Sequence, residues 1–289
     1  TFYFTLNDYN ITTKLPIFTV SKQTNTAGIL IPDWTFIKLE NNKVINDWDK
    51  IKESISNTKI KEKQNIIFFQ GNDTSKIRRD IREFKTDIRS NINKIVNETS
   101  NKNILIKINE TSPITDWVKY KYLLDLPGAY PWSVRLKEIL MMKSLVIKID
   151  INKPWINFYS SLLTPNIDYI QIKYDNNEEP KELAKNVYDK IQRTYRYMEN
   201  NPEKVNKIIK SGYKNINKLT MDSIIDYMVL ILNEAEQLLN NETLKRTSNT
   251  KSFNKLSKSS NKKFIICYSY LCLTHKHQVH NALFFHQSY

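Results

Sequence analysis

Gly128, Ser133 and Arg135 lie within eight residues of one another in the stretch Lys119 to Asp150, KYKYLLDLPGAYPWSVRLKEILMMKSLVIKID. Backbone amides beside a glycine, a hydroxyl and a guanidinium at the start of a helix are what an anion needs, because a helix N-terminus offers free N–H groups and the positive end of a dipole. A phosphate or diphosphate is the ligand such a loop suits. The same residues also read as a surface loop with a capping serine and a solvated arginine, and the glycine-rich fingerprints of nucleotide loops are absent.

The surrounding residues specify how that loop is held. Tyr122 to Leu126 is a short apolar run stopped by Pro127 and Gly128, and so reads as a buried strand. Ser133 opens a helix as its N-cap, with Leu136, Ile139 and Leu140 on one face. Leu145 to Ile149 is a β-branched strand. Strand, helix and strand in this order form a βαβ unit with two parallel strands. A second unit of the same logic comes earlier: a strand at Ile66 to Phe69, a loop from Gln70 to Ser75, and a helix from Ile77 to Ile95 with Arg78 and Arg79 in its first turns.

Further strands are expected at Phe2 to Leu6, Ile17 to Val20, Ile104 to Ile108 and Tyr169 to Tyr174, with an aromatic loop from Pro32 to Phe36. Helices are expected from Trp48, at Trp155 to Leu163, and at Pro180 to Met198, Pro202 to Leu219 and Met221 to Leu239. Alternation of strands and helices means an α/β fold with parallel sheets, followed by a helical C-terminal part. The expected division is an N-terminal half at 1–110, a second half at 111–240, and a basic tail at 241–289 that is polar and disordered from 241 to 263.

Charge and composition narrow the chemistry. The net charge of +14 suggests anionic partners, but residues 241–289 hold eight Lys/Arg and one acidic residue, so half of the excess sits in the tail. A mildly basic body suits an anionic nucleotide donor as well as a polynucleotide, and charge is the sole support for nucleic-acid binding. Only four glycines occur, at 28, 71, 128 and 212, which marks Gly71 and Gly128 as positions where geometry demands one. Both cysteines, Cys267 and Cys272, and all four histidines lie in the last 23 residues. Their spacing is irregular for zinc. Catalysis in the body must therefore use carboxylates, Lys, Arg, Tyr or hydroxyls. No stretch reaches the roughly 18 apolar residues that span a bilayer. The chain starts at Thr1 inside an expected strand, which implies that an initiator Met, any signal peptide and earlier strands lie upstream.

The order of motifs resembles the capsular-associated and Rumi-type protein O-glucosyltransferases, glycosyltransferase family ninety. The resemblance rests on Asn7-Asp8-Tyr9, Leu15 to Lys22, Pro32-Asp33-Trp34-Thr35-Phe36, Phe68 to Ser75, Lys119 to Lys148, and the Phe158-Tyr159, Leu163, Pro165, Asp168-Tyr169 and Lys173 pattern, and covers about residues 1–240. It implies a GT-B architecture of two Rossmann-like halves, the first incomplete here, and inverting transfer of glucose or xylose from a UDP-sugar to a protein serine or a glycan, without metal or other cofactor. It implies Asp8 as general base; Arg135, Ser133, Gly128, Gly71, Thr74, Ser75 and Arg78 at the donor; and Trp34 and Phe36 beside the acceptor or sugar. Without the resemblance, Asp8 reads as a turn residue and the aromatic pair as core. The family usually keeps Arg where Gln70 stands and Pro where Asn10 stands, so a catalytically inactive binding protein on the same fold is the alternative. The resemblance implies the secretory pathway, while a cysteine-free body suits a reducing compartment equally.

Overall fold

A computed structural model describes residues 3–5, 17–24, 26, 28–40, 43–58, 62–72, 88–128, 133–152, 154–175 and 179–247. Its strands are β1 (Tyr3–Thr5), β2 (Ile17–Thr19), β3 (Lys22–Gln23), β4 (Ile29–Leu30), β5 (Ile37–Glu40), β6 (Lys43–Asp47), β7 (Gln64–Gly71), β8 (Ile104–Ile108), β9 (Tyr120–Asp125), β10 (Leu145–Ile151), β11 (Trp155–Ile156) and β12 (Ile170–Tyr174). Its helices are α1 (Trp48–Asn57), α2 (Ile88–Glu98), α3 (Leu136–Met141), α4 (Pro180–Glu199), α5 (Pro202–Asn217) and α6 (Met221–Thr247).

The centre is a parallel five-stranded sheet in the order β12-β10-β9-β7-β8. Its strands are continuous apolar runs because both faces are covered. Side chains alternate between the faces. Ile67, Phe69, Tyr122, Leu124 and Ile147 join α2 and α4 on one side through Ile88, Ile92, Leu183 and Val187. Phe68, Leu123 and Val146 join α1, α3 and the end of α5 on the other through Trp48, Leu136, Ile139 and Ile216.

In chain order β7, β8, β9, β10 and β12 occupy spatial places 2-1-3-4-5. The winding direction reverses between β7 and β9, and in doubly wound sheets the crevice for ligands opens at such a reversal, outside the carboxyl ends of the strands. Residue 110 lies between β8 and β9, so the domain boundary expected there falls inside one hydrogen-bonded sheet, and the unit that holds the loop after β9 starts at β7.

A smaller parallel sheet, β1-β2-β4, lies at the N-terminus. Phe18, Val20 and Ile31 pack with Met228 and Ala235 of α6, and the Tyr227 hydroxyl donates to the Leu30 carbonyl at 2.7 Å. α6 also places Ile224 in the cluster beneath the large sheet. β3 pairs with β11, and β5 with β6, both antiparallel.

Three boundaries differ from expectation. The helix expected at Trp155 to Leu163 is β11 followed by a 3-10 turn at Ser160–Leu162. There Ser160 Oγ accepts from the Asn157 amide at 2.9 Å and donates to Asn157 Oδ1 at 2.8 Å, local bonds that compete with helix. α3 begins at Leu136, and Ser133 Oγ accepts from the Arg135 amide at 3.3 Å instead of capping a helix at its own position. α6 continues to Thr247, so residues 241–247 are helical and not part of a disordered tail.

At the amino edge of the sheet, Lys63 donates to the carbonyls of Val118 at 2.6 Å and Met142 at 2.9 Å and to Ser144 Oγ at 2.7 Å. Burial, with Lys143 nearby, pushes its ammonium down to about 8.

Candidate functional site

The carboxyl edge at the sheet reversal is built on Phe69. The Arg135 guanidinium lies over its ring at 5.1 Å and that of Arg89 at 5.3 Å. Arg135 donates through Nη1 to the Gln70 carbonyl at 2.6 Å, which ties the start of α3 to the end of β7. Gly71 is the residue that permits this approach. A Cβ there would sit 2.9 Å from Phe69 Cζ, closer than side chains tolerate, and 3.2 Å from Arg135 Nη1, which would have to give way. Ser133 and Arg135, expected in one anion loop from their types, and Gly71, expected beside them from the resemblance, thus lie at the same edge of the sheet.

Arg89 was not expected. It donates to the carbonyls of Pro127 (2.9 Å), Asn72 (3.0 Å) and Leu126 (3.3 Å), and so fixes the ends of β7 and β9 together just before Gly128. Its signal in the sequence is a cation among the apolar positions Ile88, Ile92 and Val96 of one helical stripe. A charge there must find buried partners.

Asp125, at the end of β9, was also missed. It is buried, and one carboxylate oxygen has no hydrogen-bond partner. Burial raises its pKa against the pull of Arg135, Ser133, Lys148 and Arg89. Burial likewise lowers the Arg135 pKa, against Asp125 and Glu138. Lys148, opposite Asp125 in the register, pairs with Asp150, which also accepts from Gln171 Nε2 at 3.0 Å. These groups give the carboxyl edge an unpartnered hydrogen-bond acceptor and two guanidinium groups. Such an edge can hold an anion and a hydroxyl side by side.

A buried ion pair fixes the flank. Lys137 Nζ lies 3.3 Å from Asp33 Oδ2, donates to the Val134 carbonyl at 2.6 Å and stands 4.4 Å above the Phe36 ring. Asp33 in turn accepts from the Thr35 amide at 2.8 Å. The pair joins the turn at Trp34–Phe36 to the helix that follows Arg135. Within that turn the two aromatics separate. Phe36 is 1% exposed and packs edge-on against Trp48, Phe158 and Tyr159, so the expectation that it flanks a sugar or acceptor is corrected to a core role. Trp34 is 45% exposed.

Gln70, at the position where the family usually keeps a cation, turns its side chain away from Arg135. Its Nε2 donates to the Glu110 carbonyl at 2.9 Å and its Oε1 accepts from Ser112 at 2.8 Å. Asp8, Thr74, Ser75 and Arg78 lie outside the described residues. Among the described residues no group of three or more His, Cys, Asp or Glu is arranged to hold a metal ion, and no helix is long and apolar enough to cross a membrane.

Comparison with known proteins places these features in a family. The rat and human proteins named "Protein O-glucosyltransferase 1" are each 25% identical over 250 residues, which is 80% of this chain and 59% of theirs. The Drosophila melanogaster "O-glucosyltransferase rumi" is 28% identical over 173 residues, 55% of this chain and 41% of that one. The chain therefore spans about three fifths of the length of the rat and human relatives. A solved structure, the pneumococcal O-GlcNAc transferase GtfA in complex with UDP and GlcNAc, is similar at a TM-score of 0.36 and 13% identity over 50% of this chain and 27% of that one, too slight a likeness to bear on the fold. The profile described as glycosyl transferase family 90 matches residues 5–271, and the chain belongs to that family.

Proposed function

We propose that the chain is an inverting, metal-independent glycosyltransferase of GT-B architecture that moves glucose or xylose from a UDP-sugar to a hydroxyl of a protein serine or of a glycan. The observation that carries this reading is the meeting of Arg135 and Gly71 over Phe69 at the carboxyl edge of the sheet, where β7 and β9 part. Family membership and the names of the relatives support the transfer of a sugar to protein.

In this reading Arg135 receives the negative charge that develops on the departing diphosphate, the part a divalent cation plays elsewhere. Ser133, the loop at Gly128, and Thr74, Ser75 and Arg78 complete the donor contacts. Asp8, three residues beyond β1, takes the proton from the acceptor hydroxyl. The acceptor oxygen then bonds to the anomeric carbon from the face opposite the leaving group, the bond from that carbon to the diphosphate oxygen breaks, and UDP departs with its electron pair. Trp34 offers an exposed indole for the acceptor or sugar.

UDP release from UDP-glucose and UDP-xylose, measured with EDTA present, tests the scheme. Turnover is expected for the wild type and a loss of about a thousandfold or more for Asp8→Asn. Turnover that survives Asp8→Asn overturns the assignment of the base, and turnover abolished by EDTA overturns metal independence. The inward turn of Gln70, which leaves this loop without the family's usual cation, favours a second reading as a binding protein. Tight UDP binding with no release from either sugar nucleotide would select it.

A further inference from the structure

Asp125 is a buried carboxyl at the edge where the diphosphate is expected. It closes β9, two residues after Leu123 and therefore on the face of the sheet that α3 covers. It is 2% exposed, and its Oδ1 has no hydrogen-bond partner. It forms no ion pair among the described residues. The other buried carboxyl of this edge, Asp150, is committed: Lys148 pairs with it, and Gln171 Nε2 donates to it at 3.0 Å. Asp125 is held differently. Ser133 and Arg135, two of the proposed diphosphate contacts, each favour its ionised form, as do Lys148 from β10 and Arg89 from α2.

A diphosphate at Arg135 meets this carboxyl as a like charge. Arg135 is the strongest influence that favours an ionised Asp125, yet burial outweighs it and raises the pKa of the carboxyl. The remaining ionisable groups nearby add no further cation. Tyr159 feels Asp125 together with Asp33 and Glu138, and Tyr169 feels it together with Asp150 and Asp168, while burial pushes both phenols up. Negative groups that share one buried site do not all ionise. Once a diphosphate takes Arg135 as its own counter-ion, Asp125 is the group that must give up its charge.

We propose that Asp125 is a further donor-binding residue, which holds the diphosphate as a neutral carboxylic acid with Oδ1 donating to a phosphate oxygen. This rests on the UDP-sugar reading above. The step is a simple protonation: the carboxylate takes one proton from solvent as the donor binds, and no other bond changes. Oδ1 thereby gains the partner it lacks. A carboxylic acid kept neutral by an apolar site is a competent hydrogen-bond donor, and a bond to an anionic acceptor is a strong one. It strengthens further as negative charge builds on the departing diphosphate. Because binding takes up the proton, donor affinity is full at pH values below the pKa of Asp125 in the free protein and falls as the pH rises through it.

Isothermal titration calorimetry of the full chain with UDP-glucose and UDP-xylose, without acceptor, tests this from about pH 5 to 9 in pairs of buffers that differ in ionisation heat. The diphosphate of either sugar nucleotide bears no proton that titrates in this range, so a proton taken up enters the protein. Wild type is expected to take up about one proton per donor over part of the range and to lose affinity there by about tenfold per pH unit. Asp125→Asn keeps a neutral donor in the same place. It is expected to bind within about threefold of wild type at the acid end, to show a flat profile, and to bind more tightly than wild type at the alkaline end. Asp125→Ala, with no donor, binds about tenfold or more weakly than Asp125→Asn throughout. A flat wild-type profile without proton uptake overturns the inference and leaves the UDP-sugar reading standing. Asp125→Asn that binds as weakly as Asp125→Ala overturns it too, since the ionised carboxylate then serves as acceptor for a donor hydroxyl. A wild type that binds neither sugar nucleotide overturns the UDP-sugar reading, and this inference with it.

Discussion

Gly71→Ala isolates the mechanical link between the end of β7 and Arg135. The new methyl carbon would stand 2.9 Å from Phe69 Cζ and 3.2 Å from Arg135 Nη1, with the backbone where it is. Comfortable separations are about 3.5–4.0 Å, so the neighbours must give by roughly 0.5–1 Å. Phe69 is fully buried and has little room to retreat. The guanidinium must move, and its hydrogen bond to the Gln70 carbonyl must stretch with it. Overpacking of this kind costs about 1–3 kcal/mol in stability. For the reaction, a displacement of roughly 1 Å of a charged group facing the leaving diphosphate costs up to about a hundredfold. The expectation is a fall of about 10- to 100-fold in kcat/KM for UDP-sugar, or about 1.4–2.7 kcal/mol of transition-state stabilisation.

The assay is UDP release in a double-mutant cycle with Arg135→Met. If Gly71 acts through Arg135, adding Gly71→Ala to Arg135→Met costs less than about threefold, a coupling well outside additive behaviour. Full additivity refutes the reasoning. So does a Gly71→Ala protein that melts lower yet keeps wild-type turnover, because the strain would then have been absorbed without moving the guanidinium.

Two further outcomes follow from local geometry. Lys63 has its folded pKa lowered to about 8 from an ordinary 10.5, so between those pH values the native state holds fewer protons than the unfolded chain, and stability contributed at this site rises with pH. After allowance for its partial exposure the rise is about 1–2 kcal/mol, read as the difference in denaturant unfolding between wild type and Lys63→Met from pH 8 to 10, and a flat difference would contradict it. At Gly212 in α5 an added Cβ would meet the Asp168 carbonyl oxygen at 2.2 Å, where the Asp168 side chain already binds Ser211 and Asn215 of the same helix. Gly212→Ala is expected to lower Tm by roughly 6 °C or more, although alanine favours helix, and a rise in Tm would show that α5 is free to shift.

What could be read from the sequence was local. The apolar runs at Ile66 to Phe69, Tyr122 to Leu126 and Leu145 to Ile149, each followed within two residues by a glycine, a proline or a charge, announce buried parallel strands. The pairing of Gly71 with Arg135 was reachable because both residues follow such strands in loops of the same kind. Strand order was not reachable: nothing near residue 110 reveals that β7 and β9 are neighbours, since that choice is made by the helices covering the faces. Arg89, Asp125 and the Asp33–Lys137 pair escaped for a related reason. Arg89 and Lys137 meet partners 17 to 104 residues away, Asp125 lies across a loop from Arg135, and a buried ion looks like a solvated one until the fold is known. Phe36 and Trp34 make the same point from the apolar side, as one turn of chain sends adjacent aromatics to opposite environments.

Helix α6 places Ile224 in the cluster beneath the large sheet and Met228 and Ala235 against the small one. Within three turns of unbroken backbone hydrogen bonds, two apolar clusters therefore share a common rod. Amide protons of β2 and β4 can exchange through loss of the small sheet alone only if α6 lets go along its middle while its first turn stays docked. The alternative is that both clusters open as one cooperative unit, so the slowest exchange in the N-terminal strands follows the opening of the five-stranded sheet.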